Sequence, residues 1–191
     1  MHDGTSSKDI KTRIGMAKNR MVQLNNIWKD HGIPKSLKLK LLKCLVWPVL
    51  LYGSEAWSQK TTDNKKLEAC EMWFYRRLLR IKWTDRVTNK SVLEQIGTNR
   101  KILHLINERK LKYIGHASRN KNTNLMTIAY QGKLDAKRKK GRPQTSLLSN
   151  ITNVSKLKIH EIARASEDRN SWKSFVMTST ASNSDVGEDD R

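Results

Sequence analysis

The chain has 191 residues, with 38 Lys and Arg against 18 Asp and Glu, for a formal net charge of +20 at pH 7. A hydrophobic share of 37%, including six Trp, suffices for a modest core and excludes wholesale disorder. A membrane span is excluded as well, since the longest apolar stretch, Cys44 to Tyr52, is about half the required length and contains Pro48. The polar start, Met1 to Ser6, lacks the apolar core of a secretory signal. Cys44 and Cys70 are too few for a disulfide framework and read as small buried hydrophobes in a reducing compartment, nucleus or cytoplasm. A charge of this size repels itself in a compact chain and calls for a polyanion, nucleic acid before an acidic membrane surface.

Ser6 or Ser7 is a candidate cap for a first helix, whose stripe of Ile10, Ile14, Ala17, Met21, Leu24 and Trp28 recurs at three- and four-residue steps. His31-Gly32-Ile33-Pro34 stops it. A second helix carries Leu37, Leu41, Leu42, Leu45, Val46, Val49 and Leu50, with a kink or end expected at Pro48. It is apolar on nearly every side at its end, which marks it as the central element. A third, opened by a polar turn over 58–63, carries Leu67, Cys70, Trp73, Phe74, Leu78 and Ile81. Lys82 to Asp85 breaks that pattern, and Thr88 opens a short helix through Val92, Leu93 and Ile96 to Gly97. A fifth runs from about Asn99 to Ala117 with Ile102, Leu105, Ile106, Tyr113 and Ile114 inward. The best strand candidate, Leu125 to Tyr130, is short.

From Lys133 to Pro143 the composition turns basic with a single acid, Asp135, and no apolar run. Beyond it, Leu147, Leu148 and Ile151 suggest a short helix; Ser155 is a candidate cap for another with Ile159 or Ile162; Trp172, Phe175 and Val176 form a last cluster. The expected class is all-α, an irregular multi-helix assembly. The expected segments are 1–57, 58–132, a basic linker at 133–143, a small helical segment at 144–177 and a disordered tail at 178–191.

No catalytic set assembles. The adjacent acids Asp189 and Asp190 lie in the expected tail, His and Cys show no zinc spacing, and no Gly-rich phosphate loop is present, so neither metal nor cofactor is expected. The positive signal is cationic. Arg76, Arg77, Arg80 and Lys82 sit beside Trp73 and Tyr75 at the end of the third helix, and Arg109, Lys110, Lys112 and Arg119 line the fifth. Arg pairs phosphate bidentately, and neighbouring aromatics can pack on sugars or bases. The loop Lys137, Arg138, Lys139, Lys140, Gly141, Arg142, Pro143 has three readings: a nuclear-import-type cluster, a single minor-groove hook of the Gly-Arg-Pro type, or a solvated linker that touches phosphate nonspecifically.

Several blocks resemble one family in order. Asp9 to Ile14 with Ala17, Leu24 and Ile27-Trp28 is followed by Leu50-Leu51-Tyr52-Gly53-Ser54-Glu55-Ala56-Trp57, and then by Leu67-Glu68 and Arg76 to Ile81. Trp83-x-Asp85, Val87-x-Asn89, Gly115-His116 with Arg119, Gly141-Arg142-Pro143, and Ala165 with Asp168-Arg169 and Trp172 complete the series. Together they resemble the region after the palm in non-LTR (LINE, RTE-like) retrotransposon reverse transcriptases. The resemblance implies that Tyr52, Gly53, Glu55, Trp57, Trp83, Gly115, His116, Asp168, Arg169 and Trp172 are structural signature residues. It also implies a helical thumb over residues 1–57 that holds a template–primer duplex, with the catalytic carboxylates in a palm-containing part outside this sequence. The expected function is therefore non-catalytic, largely sequence-independent binding of RNA, an RNA–DNA hybrid or DNA. The alternative is a transposon-derived protein–protein interaction module, using a bare apolar face of Leu37 to Leu50, or a remnant without function. Relatives carry a Trp shortly after Gly-Arg-Pro where this chain has Leu147 or Leu148.

Overall fold

A computed structural model describes residues 6–119 and 146–181. Among these the class is all-α, as expected, with ten helices, two short 3-10 turns and no strand. The strand candidate Leu125 to Tyr130 and the basic loop at 133–143 lie outside the described residues. The chain forms two compact units: Ser6–Gly53 with Lys60–Leu103, and Ser54–Gln59 with the described residues from His104 onward. Within the segment 54–59, Gln59 has its hydrogen-bonding partners, Lys110 and Asn150, far downstream.

The first unit contains α1 (Ser7–Gln23), α2 (Asn25–Lys29), α3 (Lys35–Leu45), α4 (Trp47–Leu50), α5 (Thr61–Leu79) and α6 (Asn89–Ile96). The stripe expected as one helix is two, broken at Leu24 (φ −88°, ψ 17°). Asn25 and Asn26 favour helix ends over interiors. The indole Nε1 of buried Trp28 donates to the Met21 carbonyl at 2.8 Å, occupying an acceptor near the break. Lys38 then closes α2. Its ammonium turns inward, 7% exposed, and donates to the carbonyls of Trp28 (2.9 Å) and Asp30 (2.6 Å). Leu37 accordingly points outward, against expectation. The ladder breaks again at Val46, before Pro48, which has no N–H to donate into it. The signature Gly53 adopts φ 70°, a left-handed conformation costly for any residue with a Cβ.

The centre of this unit is α5, not the second apolar segment. α1, α2, α3 and α6 all pack on it, and Leu67, Cys70, Phe74 and Leu78 are buried along it. Each such side chain contributes about 2 kcal/mol when removed from water. Leu42, Val46, Trp47 and Leu50 are at most 5% exposed, α4 packing on α1 and α3 on α5. Of the face named by the interaction-module alternative, Leu42, Val46 and Leu50 are covered within the chain, Leu41, Leu45 and Val49 are half-buried, and Leu37 is exposed. Cys44 is exposed rather than buried, whereas Cys70 is buried and its thiol pushed up to about 12 by desolvation.

Two acids on α5 are fully buried. Asp63 accepts from the Ser7 hydroxyl (2.6 Å), the Lys60 amide (3.3 Å) and the Lys66 ammonium (3.3 Å), tying the start of α1 to the start of α5. Glu71 accepts from the Tyr75 hydroxyl (2.7 Å) and from the amides of Lys101 (2.8 Å) and Ile102 (3.2 Å). These amides open α7 (Ile102–Arg119), so Glu71 serves as its N-cap from another helix. Burial raises the Glu71 carboxyl above its ordinary value, and the three hydrogen bonds oppose that rise. α6 follows its sequence closely: Thr88 accepts from the Ser91 amide at 3.3 Å and Gly97 ends it in the left-handed region.

The second unit contains most of α7, α8 (Leu147–Ser155), α9 (Ile159–Ala165) and α10 (Arg169–Ala181). Leu111, Ile114, Ile151, Ile162, Trp172 and Val176 form its core. Ser155 caps no helix by its expected route; its hydroxyl accepts from the Leu157 amide, and Lys158 stands before α9. α10 continues through residues 178–181, which were expected to belong to the tail. Asp168 caps α10, accepting from the Ser171 hydroxyl and from the amides of Asn170 and Ser171; these bonds hold its carboxyl below the ordinary value.

Gly115 is fixed by close approach. A Cβ there would lie 2.1 Å from the Trp172 Nε1, which donates to the Leu111 carbonyl at 3.0 Å. The two signature residues are therefore one packing unit. Gly115→Ala is expected to push the indole off that carbonyl and cost about 3 kcal/mol, read as a lower urea midpoint by circular dichroism. An unchanged midpoint would contradict this packing.

Candidate nucleic-acid interface

The expected Arg cluster lies at the C-terminal end of α5, where the helix leaves its core contacts. Phe74, Tyr75 and Leu78 are buried, which turns Trp73, Arg76, Arg77 and Arg80 toward the other side. Tyr75 is not a platform for bases: it is fully buried, its hydroxyl is bonded to Glu71, and burial drives its pKa up. Trp73 is half-buried between two cations, with Lys18 at 5.5 Å and Arg77 at 5.4 Å from its ring centroid.

An open groove of about 950 Å³ runs past this end of α5. Its cationic lining is Lys29, Arg76, Arg77, Arg80, Lys82 and Arg86, and among the described residues no acidic side chain lines it. The sequence reading named four of these and missed Lys29 and Arg86. Both stand at a break in the helical pattern, Lys29 before the His31-Gly32 stop and Arg86 after the Trp83–Asp85 turn, and only the fold brings them to one surface. Each Arg is braced. Arg76 donates to the Val87 carbonyl (2.7 Å) and to Asn89 (3.1 Å), Arg77 to Asn25 (3.3 Å), and Arg80 meets the His31 ring at 2.7 Å. The bracing leaves their charge in place, since every partner is neutral or basic.

The backbone is unusual at the same place. Arg80 (φ 63°) and Arg86 (φ 48°) both occupy the left-handed region that favours glycine. Such conformations persist where the surroundings over-determine them, and they concentrate at functional sites. Between them, Trp83 is 89% exposed. The signature residue expected to be structural therefore stands in water.

Of the fifth-helix cations, one is withdrawn from the surface. Lys110 is 1% exposed; its ammonium donates to Gln59 Oε1 (2.6 Å) and Asn150 Oδ1 (3.4 Å), so it is a buried structural residue and not a phosphate ligand. Asn150 also exchanges bonds with the Gln59 backbone, accepting from its amide (2.6 Å) and donating to its carbonyl (3.2 Å). Lys112 is exposed but bonded to Glu108, and Arg119 donates to the Ser166 carbonyl (2.8 Å). Arg109 is exposed. Lys137, Arg138, Lys139, Lys140 and Arg142 lie outside the described residues. Among the other signature residues, Trp57 is buried, Glu55 is half-buried, and His116 and Arg169 are exposed. Tyr52 is 65% exposed beneath the Arg13 guanidinium, 4.4 Å from its centroid. Among the described residues no cluster of His, Cys, Asp or Glu is suited to a metal ion, and no helix is long and apolar enough to cross a membrane.

No family model matches the chain, and no solved structure matches it. It is similar to an uncharacterized transposon-derived protein of Caenorhabditis elegans, 30% identical over 104 residues, which are 51% of this chain and 37% of that protein. The chain thus matches little more than a third of that relative's length.

Lys110 gives the second unit a pH signature. Burial lowers its ammonium from 10.5 to about 8. Between those values the unfolded chain holds a proton that the folded chain does not, so this group makes stability rise with pH. Below pH 8 its penalty is fully present. Lys110→Met is expected to remove up to about 3 kcal/mol of that rise when chemical unfolding is followed from pH 8 to 10.5 beside wild type. Identical slopes would show that Lys110 is not desolvated.

Proposed function

We propose that this chain is a non-catalytic nucleic-acid-binding module, derived from the region that follows the palm of a non-LTR retrotransposon reverse transcriptase. The groove at the end of α5 carries the reading, because six cations with no acid among them form a built surface rather than a scattered charge. The ordered sequence blocks and the likeness to a transposon-derived protein support the origin. The ligand is a template–primer duplex, an RNA–DNA hybrid or structured RNA, held through its phosphates. A-form duplexes are recognised by backbone and shape rather than by base edges, which suits a braced Arg cluster. The palm-containing polymerase part supplies the chemistry; this chain supplies grip. We place it in the nucleus or cytoplasm.

Binding is expected to be electrostatic first. With about five phosphates neutralised, log K for duplex DNA should fall against log salt with a slope near −4 to −5 in anisotropy titrations. Affinity that hardly changes with salt would sink the proposal. The chain alone should extend no primer on any template; templated synthesis that survives further purification would overturn the non-catalytic reading.

Arg80 separates stability from binding. Arg80→Gly should raise stability by about 1 kcal/mol, because glycine is at ease at φ 63°. The same change should weaken duplex binding and make the salt slope shallower by about 1. A stabilised variant with undiminished affinity would exclude Arg80 from the interface.

A further inference from the structure

Trp83 is the one indole of six that the fold leaves in water. Trp28, Trp47, Trp57 and Trp172 are at most 5% exposed and Trp73 is half-buried, against 89% for Trp83. It does not hang on a loose loop. The Asp85 carboxylate accepts from the Lys82 amide at 2.8 Å, closing the 3-10 turn Trp83–Asp85, and Arg86 ends that turn in the left-handed region. Just beyond, Arg76 grips the Val87 carbonyl and Asn89, fastening the turn to α5. Lys82 and Arg86 flank the indole on either side in sequence, and all three line the cationic groove.

A braced turn that presents a bare aromatic among cations has the chemistry of a stacking platform. Every nucleobase offers a π-face, and the flanking cations meet the phosphates on either side of it. The groove around it combines Lys29, Lys82 and Arg86, which suit phosphates, with Trp28, Trp73, Ile81 and Val87, which suit the faces of sugars and bases.

We infer that Trp83 stacks on an unpaired base, so that the groove's ligand is a nucleic acid with a single-stranded base adjoining the phosphates it holds. This rests on the nucleic-acid reading above and narrows its substrate class. A blunt duplex offers a base face only at its ends; a single strand or an overhang offers one beside the bound backbone. Arg76 is then a positioning residue for the platform, and Lys82 and Arg86 are its phosphate contacts.

The test uses the full chain and three probes: a 12-nucleotide oligo(dT), a blunt duplex, and the same duplex with a four-nucleotide overhang. Trp83→Ala is expected to lower affinity for oligo(dT) and the overhang on the order of 10-fold, leaving the blunt duplex within about 2-fold. Trp83→Phe should recover part of the loss. Because Trp83 is exposed, circular dichroism of these variants should match wild type. The iodide-quenchable share of tryptophan fluorescence should fall when oligo(dT) is added to wild type and stay unchanged in Trp83→Phe. The stacking proposal is overturned if Trp83→Ala affects all three probes alike or none of them. If it affects none while Arg80→Gly still weakens binding, the groove stands and only the platform falls. If no probe binds wild type at all, the groove reading falls as well.

Discussion

Asp63 and Glu71, two turns apart on α5, are the acids that the described part of the chain takes fully out of water. An unpaired buried carboxylate would cost several kcal/mol, and neither is left so. Each gathers three donors, and backbone amides are among them for both. Asp63 joins α1 to α5, while Glu71 joins α5 to the first turn of α7. The helices of the first unit are therefore set by two ionic knots on one element as much as by the apolar stripe between them. Hydrogen bonds to a charged acceptor contribute roughly 1.5 to 3 kcal/mol each, more than neutral ones. A single charge-to-amide change at Glu71 would leave two amides sharing one acceptor.

Placing acids inside has an electrostatic counterpart outside. The chain holds 18 acids against 38 bases, and of the two committed to the interior only Asp63 pairs with an exposed cation, Lys66. At the end of α5, His31, Asn25, Asn89 and a backbone carbonyl brace Arg76, Arg77 and Arg80 where carboxylates could have stood, while Asp85 in the next turn is bonded to the Lys82 amide. A salt-bridged Arg would present a nearly neutral pair to a polyanion, whereas an Arg braced by amides keeps its charge and loses its mobility. Orientation is thus fixed in advance of any ligand, and binding orders fewer rotamers.

The helical class, the α6 boundaries and the Trp172 cluster were legible because local rules decide them: Thr88 and Gly97 are end signals, and apolar spacing marks the rest. Lys38 and Lys110 were not legible. A lysine in a basic helix reads as solvated, and only the fold shows that Lys38 ends α2 while Lys110 completes a buried polar group with Gln59 and Asn150. The groove was half legible. Arg76, Arg77, Arg80 and Lys82 are close in sequence, Arg86 follows them beyond the Trp83–Asp85 turn, and Lys29 joins them through tertiary structure. Trp83 misled in the other direction, since a Trp in an ordered block suggests core and this one is bare. The pairing of Gly115 with Trp172, 57 positions apart, needed the structure to explain why both recur in the resemblance.

The segment 54–59 belongs to the second unit although it is flanked on both sides by the first, and this has a temporal consequence. Gln59 leaves the ribosome 91 residues ahead of Asn150, the side chain that pairs with its backbone. At ordinary synthesis rates of about 5 to 20 residues per second, the interval is roughly 5 to 18 s. Throughout it the buried positions Trp57 and Gln59 are exposed beside a first unit whose own residues are complete once Leu103 has emerged. A nascent chain of this design spends seconds with an indole and two unpaired backbone groups waiting for a distant asparagine, a window in which chaperone capture competes with folding.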